Sequence, residues 1–220
     1  PYKEKFSTAP IGTVSPPVLI QGIAGPNGEL PVLDGENATT RLELSYWNDE
    51  RCIMKIGAGT VPAGPTGKYI TVENLEFKSA RPGYQYTCDE GTVKSYLSMA
   101  SGIFVAYGEN ITVRNCIFHN CGNGFFVGSS DDIASKDVLL EGCYMYDNGI
   151  QDSTYEHHSY DAAIRHTYQY NHYGQIRDGC RGAGLKDRSA LTVARYNWIE
   201  FNNDDGNREV EYVDGADSIL

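Results

Sequence analysis

The chain of 220 residues contains no apolar run near the roughly 20 residues that a membrane-spanning helix needs. It also has few long stretches of good helix formers, because its apolar residues stand in short β-branched and aromatic clusters between Gly, Asn and Asp. These two absences disfavour a membrane span and a helical fold. The 24 glycines and 16 tyrosines instead predict an all-β protein whose strands are joined by tight turns.

Basic residues are scarce as well, because 18 Lys and Arg stand against 29 Asp and Glu and give a net charge of −11. This balance disfavours nucleic acid and anionic membranes as partners. The cysteines form no CxxC pair and the histidines form no HExxH motif, so we expect no zinc site. The six cysteines are Cys52, Cys88, Cys116, Cys121, Cys143 and Cys180.

One strand pattern recurs along the chain. Residues 69–77 (YITVENLEF) and 110–118 (NITVRNCIF) are identical or closely similar at six of nine positions. Further copies give a series of first inward-facing residues, Val18, Ile70, Ile111, Val138, Arg165 and Leu191, at spacings of 52, 41, 27, 27 and 26 residues. In the copy at Arg165, Ile164 is an alternative inward residue. The spacing of 26 to 27 residues indicates a repeating structural unit.

Each unit has a second short strand before the first, as at 103–106 and 125–127. Such a unit cannot bury its apolar face alone, so the units must stack. We therefore predict an all-β, single-stranded right-handed parallel β-helix of about 7–9 coils over residues 1–220, with an inserted loop near 80–100. A sandwich or propeller fits less well, because hairpin signals are scarce and propeller blades need about 40 residues or more. We expect a longer chain, whose missing segments or self-stacking cover the ends.

Two ladders are expected from this repeat. Cys116 and Cys143 share one repeat position, which favours a buried thiol ladder, although a secreted context raises the odds of a disulfide. Asn74 and Asn115 share a corner position, where an asparagine ladder could stack side-chain amides between coils. Both expectations depend on the register of the repeat.

Residues 184–197 (GLKDRSALTVARYN) carry a resemblance to a known family. This segment resembles the Lys-Ser then Asn strand-turn-strand segment of polysaccharide lyases of the chondroitinase B and alginate lyase type, which have a pectate-lyase-like β-helix. It also resembles uncharacterised β-helix proteins with an LKDRS segment followed by RYNWIE. The resemblance in fold covers nearly the whole chain, and that in the active site covers about 15 residues.

The lyase resemblance implies cleavage of an acidic polysaccharide by β-elimination. In those lyases a lysine removes the C5 proton of a uronate, an arginine assists near the leaving oxygen, and calcium held by Asn and Glu neutralises the carboxylate. Lys186 matches the lysine by position, and like charges at Arg181 and Arg188 would lower its pKa. The arginine position falls near Val213, so that Arg208 is a displaced candidate, and glycines replace the acidic ligand before the lysine.

The stretch 165–195 has a local charge balance of +4, from six basic residues against Asp178 and Asp187. A positive patch of this kind suits an anionic polymer, and the histidines and tyrosines of 155–173 suit sugar stacking and proton transfer. Solvated coil-edge charges are the alternative interpretation. The predicted catalytic residues are Lys186, Arg188, His166 and Arg208, and the predicted substrate-binding residues are Arg165, Arg177, Arg181, His172, Tyr170 and Arg195.

Asn202, Asp204 and Asp205 are candidate calcium ligands, although an Asx-rich corner needs no metal. We predict a protein that is secreted, periplasmic or on the cell surface and that binds an acidic polysaccharide. Whether it also cleaves this polysaccharide is left open by the sequence. One alternative is a noncatalytic structural or adhesive solenoid. Another is a hydrolase of the polygalacturonase type, for which Asp131-Asp132 and Asp204-Asp205 are available but the Gly-His-Gly and Arg-Ile-Lys segments are absent.

Overall fold

A computed structural model describes residues 1–44, 50–58, 65–129, 133–200, 208–213 and 218–219, the last range as backbone only. This part of the chain is nearly all β, with one short 3-10 helix at Leu42–Leu44. The strands are β1 (Glu4–Thr8), β2 (Val18–Gln21), β3 (Val32–Asp34), β4 (Ala38–Thr40), β5 (Cys52–Ile56), β6 (Gly67–Glu73), β7 (Glu76–Lys78), β8 (Gln85–Thr87), β9 (Val93–Ser95), β10 (Ser101–Val105), β11 (Gly108–Arg114), β12 (Ile117–His119), β13 (Asn123–Val127), β14 (Ser135–Glu141), β15 (Tyr144–Tyr146), β16 (Ser159–Asp161), β17 (Ala163–Gln169), β18 (His172–Tyr173), β19 (Ala183–Asp187), β20 (Thr192–Arg195), β21 (Trp198–Ile199), β22 (Arg208–Tyr212) and β23 (Ser218–Ile219).

The strands form three sheets, and successive strands along much of the chain belong to different sheets. The ten-stranded sheet has the order β22-β19-β16-β13-β10-β5-β1-β4-β8-β9, the seven-stranded sheet β2-β6-β11-β14-β17-β20-β23, and the six-stranded sheet β21-β18-β15-β12-β7-β3. Consecutive strands from β10 to β21 therefore visit the three sheets in rotation. Pairing is parallel, as between β11 and β14, except in the antiparallel pair β8–β9. An all-β fold with parallel sheets is confirmed, and its topology is compatible with a β-helix.

The predicted inward positions of the first four copies agree with the pairing in the seven-stranded sheet. Ile70 pairs with Val18 on one side and with Ile111 on the other, and Ile111 pairs with Val138. Ile70, Ile111 and Val138 are all buried. Their β-branched side chains suit a half-buried pleated sheet.

The predicted register of the last two copies is wrong by one residue. His166, which pairs with Val138, and Thr192 are buried, whereas Leu191 is 48% exposed and Arg165 also lies outside. Arg165 and Leu191 both have φ of +61°. They therefore occupy the left-handed residue that precedes the inward position, as Asp137 does at φ +54°. The apolar pattern could not reveal this shift, because polar residues take the inward positions here.

The corner after the seven-stranded sheet is also built on a left-handed residue in the five copies from Ile70 onward. Asn74, Asn115, Gly142, Tyr170 and Tyr196 have φ values of 58°, 53°, 62°, 57° and 57°. Asn and Gly tolerate this conformation better than other residues do. An amide-to-amide hydrogen bond lies one position further along, in copies later than those predicted. There Asn171 Nδ2 donates to Asn197 Oδ1 at 3.1 Å.

The thiol ladder is confirmed, because all six cysteines are free and buried. Cys116 and Cys143 lie at paired positions, and their Sγ atoms donate to the carbonyl oxygens of Arg114 and Glu141 at 3.3 and 3.4 Å. Burial raises the pKa of the Cys143 thiol well above its ordinary value. Around them the core is apolar, with Phe77 and Phe118 stacked at a centroid distance of 5.3 Å. Among the described residues, no helix has the length and apolar character needed to cross a membrane.

Candidate functional site

The candidate site lies on the outer face of the ten-stranded sheet, where β16, β19 and β22 are neighbours. Tyr160 pairs with Lys186, and Lys186 pairs with Glu211, so these three side chains form one row. Side chains alternate across a strand, which turns Tyr160 and Lys186 outward because Asp161 and Asp187 face the core. Arg188 follows β19 directly, and Arg208 begins β22. We call Tyr160, Lys186, Arg188, Arg208 and Glu211 the cationic patch.

The three basic residues of the cationic patch converge on one ring and one carboxylate. Lys186 Nζ lies 5.3 Å from the centroid of the Tyr160 ring, and the Arg188 guanidinium carbon lies 5.8 Å from it. Lys186 Nζ and Arg208 Nη1 lie 3.4 and 3.5 Å from the same oxygen, Glu211 Oε2. Three cations and one carboxylate leave the patch positive, and the Lys186 side chain is only 13% exposed.

His157 lies beneath the patch and is fully buried. Its Nδ1 accepts a hydrogen bond from the Ala183 amide at 2.7 Å, and its ring meets the Tyr160 ring edge-on at 5.3 Å. Burial first, and the charge of Lys186 second, lower the pKa of His157 to about 3. The imidazole is therefore neutral at physiological pH, and its proton must be on Nε2, since Nδ1 is an acceptor. A group of this kind can donate a hydrogen bond but does not serve as a base.

A polar layer supports the patch from inside. The Tyr168 hydroxyl lies 3.0 Å from Asp161 Oδ2 and 2.9 Å from Asp187 Oδ1, and Asp187 Oδ2 accepts from the Thr192 hydroxyl. Both carboxyl groups are fully buried. Burial, and secondly the neighbouring Asp187, raise the pKa of Asp161 well above its ordinary value. The residues directly behind Tyr160 and Lys186 are thus held in one hydrogen-bonded chain.

The structure places His166, a predicted catalytic residue, inside the core rather than in the patch. Its ring stacks on Tyr168 at 3.9 Å and meets Phe125 at 6.3 Å. Burial lowers the pKa of His166 to about 3, and within the described ranges neither ring nitrogen has a hydrogen-bond partner. Of the predicted catalytic residues, Lys186, Arg188 and Arg208 lie in the cationic patch, whereas His166 is separated from them by the sheet.

Three of the predicted substrate-binding residues line the seven-stranded sheet or the corner beside it. Arg165 binds Asp137 through two hydrogen bonds of 2.6 and 2.7 Å. Arg195 donates to Gln169 Oε1 from Nε and Nη2 at 2.9 and 2.7 Å. Tyr170 stacks on Tyr196 at 5.2 Å. These residues do not converge with the cationic patch.

The other three lie on or near the six-stranded sheet. His172 stacks between Tyr144 and Trp198 and contacts Glu200 Oε1 through Nε2 at 2.7 Å. Arg181 is exposed and lies 3.8 Å from Asp152. Arg177 donates to backbone and side-chain oxygens of a corner, including Gly149 O at 3.0 Å. These contacts assign Arg177 to the architecture of the corner.

The candidate calcium ligands Asn202, Asp204 and Asp205 lie outside the described residues. Within the described part, no group of three or more His, Cys, Asp and Glu residues is arranged to hold a metal ion. The cationic patch itself, with two basic side chains at an aromatic ring and a third at Glu211, suits an anion rather than a metal.

The sequence interpretation placed Tyr160 and His157 in the histidine and tyrosine cluster at 155–173 without assigning either to the site of Lys186, and it missed Glu211. Tyr160 precedes Lys186 by 26 residues, and Glu211 follows it by 25, so the repeat spacing itself was the signal that could have found two of them. His157 had no such signal, because its role depends on its burial. No protein-family model matches the chain, and no curated protein is significantly similar to it.

Proposed function

We propose that the chain is a right-handed parallel β-helix solenoid of about 7–9 coils, secreted, periplasmic or on the cell surface, whose cationic patch binds an acidic polysaccharide. The rotation of consecutive strands through three parallel sheets supports the β-helix. The function is supported by one observation above others. Lys186 and Arg188 converge on the Tyr160 ring on an outer sheet face.

This combination suits an acidic sugar for two reasons. An aromatic side chain packs well against the apolar face of a sugar ring, and cations beside it pair with a carboxylate or sulfate of the same ring. Arg188 offers a planar fork of donors, which matches a carboxylate in a bidentate geometry, and Lys186 offers a compact charge. The negative charge of the rest of the chain confines a polyanion to such a patch.

Cleavage by β-elimination is a second candidate function. A base takes the C5 proton of a uronate, the C4–O4 bond breaks, a C4=C5 double bond forms, and the leaving oxygen receives a proton. The placement of Lys186 against Tyr160, with 13% of its side chain exposed, favours Lys186 as that base. Its ion pair with Glu211 must open first, and Arg208 is then the cation beside the leaving oxygen. Binding requires no such rearrangement.

Binding is tested by titrating the protein with polygalacturonate, alginate and chondroitin sulfate, with neutral dextran as a control polymer. We expect salt-sensitive binding of at least one polyanion, weakened roughly tenfold or more in a Lys186→Ala/Arg188→Ala double variant. Lys68→Ala is the matched control, because Lys68 pairs with Glu109 on the seven-stranded sheet. An equal loss with Lys68→Ala, or no polyanion binding, contradicts the proposal.

The same titrations separate a lyase from a structural or adhesive solenoid. Elimination creates an unsaturated uronate that absorbs in the ultraviolet, and this absorbance should grow with time for the wild type but not for Lys186→Ala. If a polyanion binds but none of the three polyanions develops this absorbance, the result supports the noncatalytic function and contradicts cleavage by β-elimination.

A further inference from the structure

A second surface lies on the outer face of the six-stranded sheet and is built from stacked rings. Neighbouring rings have centroid distances of 4.4 to 4.9 Å. The rings in order are His119, Tyr146, Tyr144, His172 and Trp198. Because both faces of the inner rings are covered by their neighbours, this ladder presents ring edges and hydroxyl groups to solvent. The spacing of the strands fixes the positions of these rings and makes the ladder a rigid wall along the sheet.

One side-chain position in this wall is missing. Tyr146 lies opposite Gly174, and Gly174 lies opposite Glu200, one residue beyond the paired Met145, Tyr173 and Ile199. Glycine leaves a gap of one side chain between Tyr146 and Glu200. A β-carbon at Gly174 would lie 3.2 Å from a ring carbon of Tyr144 and 3.4 Å from its hydroxyl oxygen. The edge of the Tyr144 ring therefore leans over Gly174 and occupies part of this gap, which we call the Gly174 notch.

Beside the Gly174 notch, and sharing Tyr144, Tyr146 and Glu200 with it, lies a cavity of about 420 Å³, a size typical of small-ligand sites. Its lining consists of Tyr144, Tyr146, Asp147, Gln175, Ile176, Arg177, Asp178 and Glu200. The lining thus combines tyrosine rings and hydroxyls with carboxylates and an amide. Such a mixture can pack against carbon atoms and hydrogen-bond to several hydroxyl groups at once.

Charge decides what kind of sugar fits. Arg177 is committed to Asp147, 3.2 Å away, and to Asn120 at 2.7 Å, so it neutralises one carboxylate and is held away from a ligand. Asp178 and Glu200 also line the cavity, with Glu200 Oε1 in contact with His172 Nε2 at 2.7 Å, and two carboxylates at this position disfavour a uronate. Carboxylate oxygens are instead strong acceptors for the vicinal hydroxyl groups of an uncharged sugar.

We propose that the Gly174 notch binds a neutral sugar unit, on a different sheet from the cationic patch and independently of it. A sugar edge enters the cavity beside Gly174, its hydroxyl groups donate to Asp178 and Glu200, and the Tyr144 and Tyr146 hydroxyls complete its hydrogen bonds. This gives the protein two sugar sites of opposite charge preference. A polysaccharide with acidic and neutral units would engage both.

The backbone at position 174 accepts a larger residue, because Gly174 does not have a positive φ. The new β-carbon would lie 3.2 Å from a ring carbon of Tyr144 and 3.3 Å from the carbonyl oxygen of Met145, so the substitution displaces the Tyr144 ring. Gly174→Val places methyl groups in the gap, and Tyr144→Phe removes only the overhanging hydroxyl. Thr112→Val is the matched control, since Thr112 is in the seven-stranded sheet. The thermal melting of each variant is measured first, and Tyr144→Phe keeps the test valid if Gly174→Val does not fold.

Wild type is titrated with neutral oligosaccharides of glucose, mannose, galactose and xylose, with saturation-transfer NMR to detect contact. We expect at least one to bind, with affinity lost by roughly tenfold or more in Gly174→Val, reduced in Tyr144→Phe and unchanged in Thr112→Val. Retention of binding in Gly174→Val overturns the proposal. So does binding of glucosamine oligomers alone, which would assign the notch to an amine. Polyanion binding through Lys186 is a separate readout, so either site can fail alone.

Discussion

Asp161 and Asp187 lie at paired positions on adjacent strands inside the core, and the hydroxyl of Tyr168 bridges them. A phenol has one proton and can donate to only one of the two carboxyl groups. Asp187 already accepts from the Ser189 amide and the Thr192 hydroxyl, which suits a charged carboxylate. The raised pKa of Asp161 indicates that its carboxyl group is protonated. Asp161 then donates a hydrogen bond to the Tyr168 hydroxyl, and the Tyr168 hydroxyl donates its own proton to Asp187.

This chain predicts opposite results for two isosteric variants. Asp161→Asn keeps a donor toward Tyr168 and should leave the folded protein at least as stable as wild type at neutral pH. Asp187→Asn turns an acceptor of three hydrogen bonds into a partial donor, and should cost roughly 1–3 kcal/mol of unfolding free energy. Urea denaturation of both variants measures the difference. Equal destabilisation by the two would show that the proton is not held by Asp161.

The pH dependence of stability follows from the raised pKa of Asp161. The folded state keeps this proton to a higher pH than the unfolded state, whose aspartates ionise near 3.8. Stability from this group is therefore fully present below that value and is lost as the pH rises toward the folded pKa. Asp161→Asn should remove this loss. Its stability relative to wild type should increase as the pH is raised above about 4, and a constant difference would contradict the assignment.

Three buried histidines give the stability the opposite pH dependence. Burial is the largest cause that lowers the pKa of His157 to about 3, of His158 to about 4 and of His166 to about 3, against an ordinary value of 6.5. Their contribution to stability is present above pH 6.5 and is lost as the pH falls toward these folded values, because only the unfolded state takes up the protons readily.

His166→Leu tests the histidine contribution most cleanly. His166 contacts Phe125 and Tyr168, and an apolar side chain of similar size relieves two buried ring nitrogens that lack partners within the described structure. We expect a gain of roughly 1–3 kcal/mol at neutral pH and a smaller loss of melting temperature on acidification. His158→Leu is the contrast, because His158 accepts from Asn148 and donates to Gly174 O at 2.9 Å. His158→Leu should destabilise the folded protein at neutral pH. Stabilisation by both His166→Leu and His158→Leu would contradict the expected difference between the two histidines.

The polarity of this region also explains what the sequence could and could not predict. The repeat and the inward register were readable as far as Val138, because Ile70, Ile111 and Val138 are apolar and β-branched. The inward residue of the last copy is Thr192, and a pattern search that expects apolar residues moves to the neighbouring Leu191. Arg165, one repeat earlier, then takes the same one-residue shift away from the buried His166. A polar core therefore hid a one-residue shift that the preceding copies did not contain.

The basic residues of the cationic patch could be predicted from the sequence, whereas their contacts with Tyr160 and Glu211 could not. Lys186 and Arg188 follow each other closely in the sequence, and the local charge balance marked them. Tyr160 and Glu211 come from adjacent strands and meet Lys186 only through the pairing of β16, β19 and β22. The Gly174 notch had no sequence signal, because it is defined by an absent side chain between Tyr146 and Glu200.

Glu211 gives the cationic patch a test with a gain of function. Its Oε2 contacts both Lys186 and Arg208, so Glu211→Gln should release two cations for a polyanion. We expect faster association by a factor of roughly three to ten at low salt, with the gain lost at high salt. Glu109→Gln changes the net charge equally but releases Lys68 on another sheet. Stopped-flow or biosensor kinetics that show equal gains for both variants would locate the effect in net charge rather than in the patch.

Arg177 distinguishes a residue of the architecture from a residue of the ligand site. Its guanidinium donates to Gly149 O, Asn120 Oδ1 and Asp147 O at 3.0, 2.7 and 2.8 Å, and its side chain is 20% exposed. Arg177→Ala leaves these oxygens without their donor, and should cost roughly 2–3 kcal/mol. Arg177→Lys should rescue little, since one ammonium cannot reproduce the planar fork. Thermal melting and urea titration decide the matter, because an unchanged melting temperature combined with weaker polyanion binding would return Arg177 to the substrate-binding residues.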